Sequence, residues 1–190
     1  MIRPANFTQL PIDHRISPRC TFAGGIQGLV LLLCSLCASG LVADTPPVSA
    51  ADLIARAQAG SAWDQLNLGA AYDHGRAGFP LDPVRAVAWY RRAAKAGLAE
   101  AQFNLAHCLA TGNGTPRDDV EALVWMLKAA EQDLASAQYL AGVMLLEGIG
   151  GAADRERAVH WLERAAVNGN SDAALLLQRL RDTQPADQDR

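Results

Sequence analysis

Four side chains past residue 43 are of types that could do chemistry: His74, His107, Cys108 and His160. A thiol beside an imidazole has the composition of a nucleophile–base pair. His107 and Cys108 are neighbours on a helical pattern, however, and consecutive helical side chains point about 100° apart. They cannot serve each other, and Cys108 reads as a small buried hydrophobe. A metal needs converging ligands, and the three histidines stand at different positions of the pattern described below. Gly148-Ile149-Gly150-Gly151 is glycine-rich, but no Gly-Lys-Ser/Thr follows and a helical stretch precedes it, so it reads as a turn. Gly-x-Ser-x-Gly, His-Glu-x-x-His and Ser-x-x-Lys are absent from the chain. The expectation is a protein that is not an enzyme, with no catalytic, cofactor-binding or metal-binding residues and no cofactor.

The elements that carry these residues repeat. Trp89, Trp125 and Trp161 stand 36 residues apart, as do Ala93-Ala94, Ala129-Ala130 and Ala165-Ala166. A period of this size marks stacked supersecondary units. The chain aligns on itself as Gln65-Leu66-Asn67-Leu68-Gly69, Gln102-Phe103-Asn104-Leu105-Ala106 and Gln138-Tyr139-Leu140-Ala141-Gly142. Each segment has the spacing of one helical face. Glycine-bearing loops follow at Gly75–Gly78, Gly112–Gly114 and Gly148–Gly151, and the stretch from Gly75 to Asp82 is one residue longer than Gly112 to Asp118 or Gly148 to Asp154. Asp82, Asp118 and Asp154 then stand as N-caps of second helices, Pro83 suits a first helical position, and Asp118 with Glu121 fits a capping box. The second helices present Ala86, Trp89, Ala93 and their equivalents on one inward face. They stop at Gly97, Asp133 and Gly169, of which Asp133 is the poorest stop.

These signals predict an all-α chain, a right-handed α-solenoid of antiparallel helix pairs with about eight helices. Repeats are expected at about 61–97, 98–133 and 134–169 within a solenoid of 50–182, with terminal half-repeats at 50–60 and 170–182. Residues 44–49 read as a linker and 183–190 as a disordered tail.

The 190 residues carry a formal charge of −3, which argues against nucleic acid as a partner, since that needs clustered Lys and Arg. Residues 1–43 read apart from the fold. Arg3, Arg15 and Arg19 precede the apolar run Leu29–Ala38, then small residues, then Asp44-Thr45-Pro46-Pro47. That order is a signal peptide's, with cleavage after Ala43 or Gly40. The competing reading is a retained membrane anchor over about Gly25 to Val42. Lipid attachment fits poorly, because Cys34 and Cys37 each follow a leucine. Removing the leader leaves 14 Lys and Arg against 19 Asp and Glu, a charge of −5, and one cysteine, Cys108, hence no internal disulfide.

The chain resembles the Sel1-like repeats, a subgroup of the tetratricopeptide-like solenoids. The resemblance rests on Gln65-x-Asn67-Leu68-Gly69-x-x-Tyr72 with Arg85-Ala86-x-x-Trp89-Tyr90-x-x-Ala93-Ala94-x-x-Gly97, and on the two further units in phase with it. Ala106 for glycine, Leu109 and Leu145 for tyrosine, and Asp133 for glycine depart from the pattern. The resemblance implies a scaffold or adaptor whose first helices line a concave groove for another protein or peptide. Carried onto this chain, the groove positions are Trp63, Leu66, Ala70, Asp73 and His74; Glu100, Phe103, His107, Ala110 and Thr111; and Ser136, Tyr139, Val143, Leu146 and Glu147. Trp63, Asp73, His74, Glu100, Phe103, His107, Tyr139 and Glu147 form the candidate partner-binding set, although Leu66, Phe103 and Tyr139 share one register and equally suit a core between repeats. Members described as β-lactamases resemble cysteine-rich chains with a Cys pair in each repeat, which this chain lacks.

The expected function is a non-enzymatic protein–protein interaction scaffold of the bacterial envelope, periplasmic or secreted after cleavage. The alternatives are a structural component of an envelope or exopolysaccharide-export assembly, and an inner-membrane-anchored signalling regulator facing the periplasm. Membrane contact is expected only if the leader is retained. We predict a soluble mature chain starting near Asp44. Intact-mass measurement of the protein from its host checks this, and a full-length chain in a salt-resistant membrane fraction would establish the anchor instead.

Overall fold

The computed structural model describes residues 49–182; the leader, most of the 44–49 linker, the 183–190 tail, Cys20, Cys34 and Cys37 lie outside the described residues. Among the described residues there are eight α-helices and no strands: α1 Ala50–Gln58, α2 Ala62–His74, α3 Pro83–Lys95, α4 Ala99–Thr111, α5 Asp119–Glu131, α6 Ala135–Glu147, α7 Arg155–Val167 and α8 Ser171–Asp182. Each helix packs chiefly on its predecessor and its successor. The all-α repeat fold read from the period is therefore the fold observed. No helix among the described residues is long and apolar enough to cross a membrane.

Local chemistry sets the boundaries. Ser49 begins α1 with a capping box closed by Asp52, and the Ser61 hydroxyl accepts from the Asp64 N–H at 3.3 Å. Asp82, Asp118 and Asp154 accept from the N–H groups of Arg85, Glu121 and Arg157 at 2.9–3.0 Å. The expected capping box at Asp118 is only half formed. The Glu121 carboxylate turns instead to the Arg91 guanidinium and to the Trp125 indole N–H, at 3.0 Å from the latter. An ion pair plus a second donor outweighs one backbone bond.

The first helices end in left-handed glycines, Gly75, Gly112 and Gly148. At the turn after each second helix, Gly97 and Gly169 have φ of 95° and 89°, and Asp133 adopts the same left-handed region at 62°. Asp tolerates it at some cost. Its carboxylate is held there by Arg164 at 2.6 Å and by the Gln138 amide at 3.1 Å. Asp133 is thus a stop stabilised by its side chain rather than by the freedom of glycine.

The core lies between the two helix layers. Ala86, Ala93, Ala122, Ala129, Ala158 and Ala165 are fully buried, which lets backbones approach. The expected inward face needs one correction. The most completely buried large side chains of the second helices are Tyr90, Met126 and Leu162, each one residue after a tryptophan, and of the three tryptophans Trp161 alone is core. Trp89 and Trp125 are half-buried at the margin, and Trp161 is 9% exposed. Each indole is covered by a cation three residues on: Arg92 at 4.4 Å, Lys128 at 4.3 Å and Arg164 at 5.0 Å. A tryptophan at that register closes the seam, while the next residue fills it. Tyr90 and Leu162 point at Gly69 and Gly142, where an added methyl would come within 2.7 Å of the Tyr90 ring or the Leu162 side chain. At the equivalent position Ala106 replaces glycine, and the second helix carries the more flexible Met126.

Two loop glycines join consecutive repeats. A methyl on Gly114 would overlap the carbonyl of Pro83, and one on Gly150 the carbonyl of Asp119; both glycines also have positive φ. Gly150→Ala is expected to destabilise the fold by more than ~2 kcal/mol, combining backbone strain with overpacking. Gly151→Ala, at a residue with ordinary φ and nothing within 4 Å, should stay within about 0.5 kcal/mol. Urea unfolding of the two variants checks the contrast; equal stabilities would mean that the loop does not seat on the preceding repeat.

Candidate functional site

The first helices α2, α4 and α6 carry the candidate residues at matching registers. The register of Leu66, Phe103 and Tyr139 faces the neighbouring repeat. Leu66 is core at 7% exposure. Phe103 is half-buried against the main hydrophobic cluster, and Tyr139 against a smaller cluster formed by Leu162, Ala165, Ala173 and Leu177. Both aromatic rings therefore serve as inter-repeat wedges with an edge left to solvent. Trp63, at the start of α2, is 56% exposed. Glu100 is half-buried and Glu147 exposed. Neither glutamate forms a salt bridge among the described residues.

Asp73 and its neighbours form a polar knot where the first and second repeats meet. The Tyr90 hydroxyl of α3 donates to Asp73 Oδ2 at 3.4 Å, and the Asn113 amide donates to Oδ1 at 3.0 Å. His74 Nδ1 lies 3.6 Å from Oδ2. His107, on α4, feels the Asp73 charge. Asp73, His74 and His107 are thus brought together, while Trp63, Glu100 and Phe103 lie nearer the N-terminal ends of their helices. Sequence reasoning missed Tyr90 and Asn113. Asn113 sits inside a loop that reads as a plain glycine turn, and only the approach of α2 gives its amide a partner. At the corresponding registers of the next junction stand Ala110 and Val143, so the face changes from polar to apolar along the stack. Near its C-terminal end Glu147, Asp172 and Arg179 all act on the Tyr139 phenol.

A family profile, the Sel1 repeat, matches residues 65–98, 99–134 and 135–170. The chain belongs to the Sel1 repeat family. Its fold is similar to that of a Sel1 repeat protein from Oxalobacter formigenes, with 36% identity over 68% of this chain and 96% of that one and a TM-score of 0.63. It is also similar to c5321, a protective antigen of uropathogenic Escherichia coli displaying an SLR fold, with 30% identity and a TM-score of 0.68. That match covers 71% of this chain but 29% of the antigen. Helicobacter pylori cysteine rich protein B shares the fold at 17% identity, with 66% of this chain and 95% of that one covered and a TM-score of 0.54. No match was found among curated proteins. Sel1 repeat proteins are generally protein-interaction scaffolds, and the fold is typically non-enzymatic.

Three groups around Asp73 in this Sel1 repeat chain are shifted from their ordinary pKa values. Burial pushes the Cys108 thiol up to about 12, helped by the Asp73 charge, so it is a protonated, poor nucleophile at neutral pH. Burial also raises the Tyr90 phenol, with Asp73 adding to the effect. Burial lowers His107 below its ordinary value, and the nearby Asp73 only partly offsets this. A histidine whose folded pKa is depressed leaves stability intact above its unfolded value. Below about 6.5 the unfolded chain takes up the proton first, so stability falls with pH until the folded pKa is passed. We expect the unfolding midpoint to drop between pH 7 and 5, and His107→Gln to flatten that drop. An NMR titration placing His107 above 6.5 would contradict the assignment.

Proposed function

We propose that this protein is a non-enzymatic scaffold of the bacterial envelope that binds a partner protein through the face formed by α2, α4 and α6. The observation that carries the reading is the unequal use of the two layers. The second helices commit most of their cations to the solenoid itself, Arg91 to Glu121 and Arg92, Lys128 and Arg164 to the tryptophan rings, although their Glu131 and Glu156 form no ion pair among the described residues. The first helices leave Trp63, Glu100 and Glu147 with solvent-facing surface and no ion pair among the described residues. The order of the leader, basic then apolar then small, supports a periplasmic or periplasm-facing location.

A second reading, a structural component of an envelope assembly that binds through the other layer, is favoured by Leu81, Val84, Val120 and Val124. All four are exposed at the N-terminal ends of α3 and α5. Photo-crosslinking in the host envelope separates the two. A crosslinking amino acid at Glu100 or Glu147 is expected to trap a discrete protein band that the same group at Val84 or Val124 does not. Trapping only at Val84 and Val124 would favour the assembly component.

A further inference from the structure

Charge is partitioned between the two layers of the solenoid. The helices α2, α4 and α6 contain no Lys or Arg; their charged residues are Asp64, Asp73, Glu100 and Glu147, with His74 and His107. The helices α3, α5 and α7 carry eight Lys and Arg residues between them. Of the four carboxylates, Asp64 is paired with Arg56 at 2.9 Å, and Asp73 accepts from Tyr90 and Asn113. Glu100 and Glu147 have no such partner among the described residues. They flank the solvent-facing edges of Phe103 and Tyr139: Glu100 stands three residues before Phe103 on α4, and the charge of Glu147 reaches the Tyr139 phenol. Arg56 of α1 is held by Asp64 at the start of α2, and at the C-terminal margin Arg179 of α8 lies near Tyr139 together with Asp172.

We infer that the first-helix face takes a basic segment of its partner, a stretch in which Lys or Arg side chains alternate with apolar ones. The charges would meet Glu100 and Glu147, and the apolar side chains would cover Phe103 and Tyr139. This rests on the reading that the first helices form the binding face. An acidic segment would meet two carboxylates without an ion pair among the described residues, on helices that contain no Lys or Arg, which like-charge repulsion disfavours. A neutral apolar segment would leave those carboxylates to be partly desolvated without a partner. A basic segment alone satisfies both features. Complementary charge of this kind speeds encounter and weakens with salt.

The test is selection from a displayed library of random peptides against the immobilised full chain, followed by binding of the selected peptides to wild type and to Glu100→Gln/Glu147→Gln. We expect a pool enriched in Lys and Arg over Asp and Glu. We also expect affinity that falls with added salt, and about a tenfold loss in the double variant with an unchanged unfolding midpoint. A neutral or acidic pool that still competes with crosslinking at Glu100 would overturn the basic-segment inference and leave the first-helix reading standing. A basic pool bound equally by the double variant would also overturn it. A pool that competes instead with crosslinking at Val124, or no enrichment over an empty support, would overturn both.

Discussion

A buried glutamine amide holds each repeat to the one before it. Gln65, Gln102 and Gln138 are buried, and each donates from Nε2 to the carbonyl eight residues earlier, Ala57, Ala94 and Ala130, at 3.1–3.2 Å. Those carbonyls, in the last turn of the preceding helix, also accept from the backbone N–H of Gly60, Gly97 and Asp133 at 3.1–3.2 Å, so the glutamine uses a carbonyl's second lone pair. The amide is itself buried, and left unpaired it would cost about 1–3 kcal/mol. The bond removes that cost and ties the end of each second helix to the next first helix. The alanines at these positions follow from the same constraint, because a larger side chain would hold the backbones too far apart for the bond.

The clamp is also the point at which the repeats differ. The Oε1 of Gln102 accepts from Gln132, and that of Gln138 from Asn168, both at 2.8 Å. Gln132 and Asn168 are the C-caps of α5 and α7; the C-cap of α3 is Ala96, which has no amide to give. The first repeat is therefore cross-tied by one bond fewer. Gly114 on Pro83 and Gly150 on Asp119 add the loop contact between repeats, and Arg91 with Glu121 adds a charged one. Each contact joins nearest neighbours, so stability accumulates along the stack instead of residing in one central core.

This division of labour bears on function. The second helices use their cations and indoles to bind each other and their own rings, which stiffens one layer. The first helices supply clamps, small residues and wedges to the interior, and are left with a surface whose polar groups have few internal partners. Under the proposed reading, a rigid layer behind an uncommitted one would serve as a binding platform, since little ordering entropy would be lost on association.

The sequence by itself determined the period, the helix count, the acidic N-caps and the glycine stops. Each is a local rule acting within about four residues, and each is written three times. The sequence also made visible which positions share a face, while the candidate set from Trp63 to Glu147 followed from the resemblance to the Sel1-like repeats. Tertiary structure decided the remainder. Trp89 and Tyr90 are adjacent and both apolar in character, and periodicity alone favoured the tryptophan; only packing against Gly69 made Tyr90 the buried one. Asp133 reads as a weak stop until Arg164, 31 residues away, holds its carboxylate. Asn113 reads as a turn residue until Asp73, 40 residues earlier, meets its amide. Glu121 reads as half of a capping box until Arg91, 30 residues earlier, claims it. These side chains choose between a local partner and a distant one, and that choice depends on a distance that exists only once the repeats have stacked.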